Sequence, residues 1–432
     1  MERAGRVWVL RRLVSLAIVA LVVTSGLSGP RMLGAGAVAI SAGSADIQEL
    51  LDRRAAAVMA RDRDAFMATV AHDSRAFVRR QRRLFTNIER VPLASYRLVA
   101  RADRFGDLVT DSVRSRYSDA DDVTIPVTEE RYRLDGFDAD EAIEDMYYTF
   151  VRRDGEWLIA EDTDVDHLSF LSGRHLWDYS RIRARRAGHF LLLEPRCGGC
   201  PQAPNAAVQL ARGALKRVRR HWDAPWVQRI PIIIPTSADD LKRMLKVTFE
   251  LDNFVAFAYS SVDQTDGVDY TGHRILLNPD AFTSRSNSST MRVLAHELLH
   301  VATRSATGPF IPTFVEEGVA EYVGQAADPA ALSFFNNEVA AGTFDGRLPE
   351  DYRFAIGSAT DVFRSYQKAY SAASFFVDRW GIRMLVRFYR RLGAVEVAPG
   401  TTEYHVDRAL QKTIGMDLDE FEQAWAGSID NP

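Results

Sequence analysis

The stretch "MRVLAHELLHVATRS" (residues 291–305) constrains this chain more than any other. Residues four apart share one face of an α-helix, so a helix here directs the imidazoles of His296 and His300 at a common point, with Glu297 projecting beside them. Two histidines and a carboxylate in that arrangement suit a metal ion with a base next to it. The bland alternative is a pair of helix histidines bonded to backbone or solvent. The downstream segment "PTFVEEGVAEYV" weighs against it. A catalytic zinc needs a third protein ligand and an open position, and an acid on the next helix can supply that ligand. Gly308, Pro309 and Pro312 lie between His300 and Glu317, in a loop long enough to bring a second helix back over the first.

A chain of 432 residues is long for a single core, so two folded units are expected. The net charge of -4 gives no reason to expect a nucleic-acid or membrane-surface partner. Arg3, Arg6, Arg11 and Arg12 precede the apolar run "LVSLAIVALVV", and small residues follow, including Ala37-Val38-Ala39 as a candidate cleavage site. This is the order of an export signal, so residues 1–40 read as a signal peptide or N-terminal anchor. The chain is then expected outside the cytoplasm, secreted or tethered to a membrane by that segment. From Ala45 onward the pattern is helical at first. It then turns to alternating strands, among them "YRLVARADRFG" and "DMYYTFVRRDGEWLIAED", the latter a hairpin through Arg153-Asp154-Gly155. Near His189 a second unit begins. Strands "HFLLLEP", "RIPIIIP", "FVAFAYSS" and "HRILLNP" alternate with helices before the "HELLH" helix, and everything from Phe314 onward reads as helix. A mixed strand–helix half followed by a helical half predicts two lobes.

The helices and curved antiparallel strands of residues 45–175 resemble the NTF2-like cone fold, whose members bind small molecules, catalyse or serve as accessory modules. Residues 186–430 resemble the gluzincin metallopeptidases of the MA clan, through "HELLH" and the E-G-x-A-x-Y pattern of "EGVAEY". The fold class implied is α+β: an NTF2-like cone, then a gluzincin-type domain with a mixed α/β lobe and a helical lobe. The resemblance selects Glu317 over Glu316 as third ligand, so one Zn²⁺ per chain would be held by His296, His300 and Glu317. Glu321, four residues further along the same face, could accept the outer N–H of a ligand histidine. Relatives place an oxyanion-donating tyrosine where "YQKAYSAASFFVDRWG" places Tyr370, with Tyr366 and Tyr322 as weaker candidates. Phe314 stands where relatives commonly carry Trp. The activity implied is hydrolysis of peptide or protein substrates by a zinc-activated water, with Glu297 as general base. No G-x-M-E-N element for gripping a substrate amine is present, which tilts the expectation from aminopeptidase to endopeptidase. "HRILLNP" is either the strand along which an extended substrate lies or an ordinary core strand.

Cys197 and Cys200 are the only cysteines, and outside the cytoplasm a local disulfide suits them better than a metal or redox site. The basic runs "VRRQRRLF" and "LKRVRRHW" read as solvated helix faces. His72, His167, His175, His189, His221, His273 and His405 have no partner at metal spacing. A rival from another class is a non-catalytic envelope binding protein that retains the metallopeptidase fold. Glu297 separates the two, because a binding protein needs no base beside its metal.

Overall fold

The computed structural model describes residues 20–21, 42–101, 104, 106–196, 204–252, 254–263, 269–325, 332–395 and 399–430. The signal-like segment, except for Ala20–Leu21, and the Cys197/Cys200 pair lie outside these residues. The chain is mixed α+β. Its strands are β1 (Ala20–Leu21), β2 (Leu93–Arg101), β3 (Asp122–Thr124), β4 (Val127–Leu134), β5 (Ala142–Met146), β6 (Thr149–Arg153), β7 (Glu156–Glu161), β8 (Ile182–Ala187), β9 (Phe190–Pro195), β10 (Ile230–Ile233), β11 (Ala256–Asp263) and β12 (Asp269–Leu277). Among the described residues no helix is long and apolar enough to cross a membrane.

In the N-terminal half, helices Ala42–Ala60 and Arg75–Ile88 accompany two antiparallel three-stranded sheets, ordered β2-β4-β5 and β3-β6-β7. The β6–β7 hairpin turns through Asp154 (φ 52°) and Gly155 (φ 81°). Both are left-handed, as the favoured two-residue turn between twisted strands requires.

The second half is built on a sheet ordered β1-β11-β12-β10-β9-β8. β9, β10 and β12 run parallel, while β8 and β11 pair antiparallel with their neighbours. "FLLL" and "IPII" are continuous apolar runs because both faces of this sheet are buried. Phe190, Leu192, Ile230, Ile232, Ala258 and Ile275 pack with helix Pro204–His221 and the helix carrying "HELLH". Leu191, Leu193, Ile233, Phe257 and Leu276 join a core shared with Tyr132, Leu176 and Trp177. The N-terminal half is therefore the second cover of the sheet. Gly272 (φ 56°) permits the contact, since a Cβ there would lie 2.7 Å from the Cα of Ala142 in β5. Arg274 crosses the same boundary to Tyr132 and Asp138, and Tyr259 donates to Glu144.

"HRILLNP" is not an edge. β12, which contains it, lies between β11 and β10 and has core on both faces. Among the described residues, the outermost long strand on that side is β11, whose far side carries the two-residue pairing with β1. Strand order depends on long-range pairing, which a single apolar run does not encode.

One buried ion pair braces the N-terminal half. His175 Nε2 lies 2.7 Å from Glu130 Oε2 of β4, and His175 stacks on Trp177. Burial opposes a charged His175, but Glu130 outweighs it and raises the histidine's pKa. Burial likewise works against an ionised Glu130, and His175 more than offsets it, lowering the carboxyl's pKa. The histidine's contribution is full below its unfolded value and fades as pH rises through its folded one. The carboxylate's contribution is full above its unfolded value and fades as pH falls through its folded one. Together they act most strongly between roughly pH 4.5 and 6.5. We expect His175→Ala to cost about 3 kcal/mol in urea unfolding at pH 6, leaving Glu130 buried and unpaired. The gap from wild type should narrow in alkaline solution; a gap independent of pH would mean that the pair is not ionised.

Candidate metal centre

The "HELLH" helix, Asn287–Thr303, begins where Ser286 Oγ accepts the N–H of Ser289, satisfying an otherwise orphaned donor. Leu294, Leu298 and Ala302 enter the core at helical spacing and press the helix onto the sheet. That face is fixed by apolar burial, and the histidines follow on another. The next helix, Thr313–Gln325, starts after Pro312, with the Thr313 N–H donating to Asp351 Oδ1 at 2.8 Å. It packs against helix Ala359–Trp380 through Gly318, where a Cβ would lie 2.7 Å from the carbonyl oxygen of Ala369. The glycine that follows Glu317 is thus a packing requirement.

These helices bring three donor atoms together. His296 Nε2 and His300 Nε2 lie 3.1 Å apart, and Glu317 Oε2 is 3.2 Å from the first and 3.5 Å from the second. Ligands about 2.0–2.1 Å from a tetrahedral zinc would be separated by roughly 3.3–3.4 Å, so the observed triangle fits that ion. His296, Glu297, His300 and Glu317 are each no more than 4 % exposed. Glu317 Oε2 has no hydrogen-bond partner among the described residues. A buried carboxylate oxygen and two imidazole nitrogens facing one point form a group that could hold a metal ion.

The surroundings set the charge of each donor. Glu321 Oε1 lies 3.2 Å from His296 Nδ1. Accepting that N–H would leave the Nε2 lone pair for the shared point. Burial disfavours charged His296, but Glu321 and Glu317 push its pKa well above the usual histidine range. Burial prevails at His300, whose pKa falls despite Glu317. Burial would raise Glu317, yet the two histidines bring it down to about 2. Glu297 Oε2 accepts the backbone N–H of Ala258 in β11 at 2.7 Å, while its Oε1 has no partner among the described residues. Burial pushes the Glu297 pKa well above the usual carboxylate range. A cation at the triangle would favour its ionised form.

Glu316 turns away from the histidines, its Oε1 3.9 Å from Arg304 Nη1. Tyr370 is half-buried on helix Ala359–Trp380, and its phenol acts on the ionisation of Arg217 and Tyr322. It has no described interaction with the three donor atoms. The helix meets its neighbour through Ala369, so the next residue is turned about a quarter of the way round from that contact. Tyr366 packs on Phe354 in a small separate cluster, and Tyr322 lies edge-on to His221. The Ala258 N–H, which holds Glu297, has no signature in sequence because strand register decides it.

Residues 251–431 are similar to the Peptidase MA superfamily. No curated protein matches the chain. The peptidase-like domain opens just before β11 and contains every residue of the centre, from Ala258 to Glu321. We expect Glu321→Ala to weaken zinc binding roughly 10- to 100-fold in competition with a chromogenic chelator. Unchanged affinity would show that the Nδ1 proton of His296 is held by another group.

Proposed function

We propose that this chain is an exported zinc-dependent peptidase of gluzincin type, with an NTF2-like unit at residues 45–175 and a two-lobed catalytic unit at residues 186–430. The observation that carries the proposal is the buried triangle of His296, His300 and Glu317 with Glu297 beside it, one carboxylate oxygen tethered and the other without a hydrogen-bond partner among the described residues. The peptidase-like domain over residues 251–431 supports the same chemistry.

Zinc held by His296, His300 and Glu317 would supply Lewis acidity at the scissile carbonyl and positive charge beside Glu297. The protein's own groups do the rest. Ala258 fixes Glu297 through Oε2, so Oε1 is the atom offered to the attacking water, from which it takes a proton. The same oxygen can then deliver that proton to the leaving amine. Glu321 holds the Nδ1 proton of His296, and Gly318 lets the helix bearing Glu317 seat against its neighbour. β11 lies directly beside Glu297, which makes its backbone the natural partner for an extended peptide. Main-chain pairing gives affinity with little dependence on side chains. Endopeptidase action is favoured over aminopeptidase action in this reading because the sequence shows no G-x-M-E-N element for gripping a substrate amine.

Two measurements test this proposal. Glu297→Gln should retain about one zinc per chain while losing roughly 10²- to 10⁴-fold in peptide hydrolysis, because the amide cannot accept the proton. Full retained activity in that variant would remove Glu297 from the role. Wild type should also cleave N-acetylated peptides, lose that activity to a chelator and regain it with added zinc. Cleavage confined to peptides with a free N-terminus would replace endopeptidase by aminopeptidase.

A further inference from the structure

We propose that Arg304 recognises a carboxylate of the substrate, either an Asp or Glu side chain or a peptide C-terminus. This rests on the peptidase proposal above. Arg304 follows His296 and His300 at a further four-residue step, at the C-cap of the same helix, where its backbone is still helical (φ −51°, ψ −44°). It stands about 6 Å further along the axis than His300. Arg304 as a whole is only 5 % exposed. It lies over the ring of Tyr270 in β12, 5.0 Å from the centroid, and so bridges the helix and the sheet.

A buried guanidinium is ordinarily held by carboxylates and carbonyls that fill its five donors. Here the nearest carboxylate, Glu316, is 3.9 Å from Nη1, beyond hydrogen-bond distance. Nε and Nη2 have no hydrogen-bond partner among the described residues. These two N–H groups form one edge of the guanidinium fork, the edge that takes both oxygens of a single carboxylate. Neighbouring His273 supplies no negative charge. Its Nδ1 lies 2.8 Å from Ser260 Oγ, and burial first, then Arg304, pushes its pKa down to about 4. The pairing left open beside the metal-ligand helix is for an anion with two oxygens. An amide in the same place can satisfy only part of it, so acidic substrates should be preferred roughly 10- to 100-fold in kcat/KM.

The test uses the zinc-loaded full chain and fluorogenic N-acetylated peptides made as C-terminal amides. Pairs differ by Glu or Gln at one position, and a further set carries a free C-terminal carboxylate. Wild type should cleave the acidic member at least about tenfold better, and the position at which the preference appears identifies its source. Arg304→Met should level the pairs while leaving cleavage of the neutral members within about threefold. Arg304→Lys keeps the charge but loses the fork, and should retain only part of the preference. No acidic preference in wild type, or one undiminished in Arg304→Met, would overturn the assignment. If Arg304→Met does not fold, an undiminished preference in Arg304→Lys overturns it equally. If wild type cleaves no peptide, the peptidase proposal fails. Fluorescence anisotropy with the same pairs then decides whether Arg304 binds carboxylates: tighter binding of acidic peptides, lost in the variants, upholds the site, and equal binding rejects it.

Discussion

Burial of both faces of one sheet is the constraint on which the rest of this structure depends. Strands such as "FLLL" and "IPII" are apolar at successive positions and would expose a hydrophobic face if either cover were removed. One cover includes the "HELLH" helix, and the other is the N-terminal half of the chain. The "HELLH" helix is held in place by a sheet whose reverse side is closed by a different part of the sequence. The two halves meet through Gly272 against Ala142, and through polar side chains such as Arg274 and Tyr259 that find partners in β4, β5 and the adjoining turn.

Electrostatics inside this frame follow from the same burial. An ionised carboxylate cannot remain in an apolar interior without compensation, and this molecule supplies it locally each time. Glu130 has His175, and Glu317 has two histidines, one of them backed by Glu321. The centre differs from the structural pair in what is left over. The Glu130–His175 contact closes a polar cluster with Tyr96 and a stacked Trp177. The centre retains buried oxygens of Glu297 and Glu317 without hydrogen-bond partners among the described residues. A buried pair that satisfies its own charge stabilises a fold, whereas metal-ligating groups that converge on one point without partners are candidates for a binding site.

Much of the local structure was legible in the residues. The i, i+4 histidines and the breakers between two helical patterns foretold the helix pair, because helical spacing and turn chemistry act over short range. Asp154-Gly155 foretold its hairpin for the same reason. Tertiary placement was less accessible. "HRILLNP" contains nothing that distinguishes an internal strand from an edge, and Tyr370 sits at a helical position whose direction depends on where Ala369 meets Gly318.

The sequence by itself determined which side chains share a helix face and which segments are apolar enough to be buried, since both depend on fixed backbone periodicity and composition. Only the tertiary structure decided that Ala258 tethers Glu297 and that the N-terminal half seals the back of the sheet. Those outcomes depend on contacts between residues far apart in the chain. Such contacts are settled by how whole elements pack, and no local pattern records them.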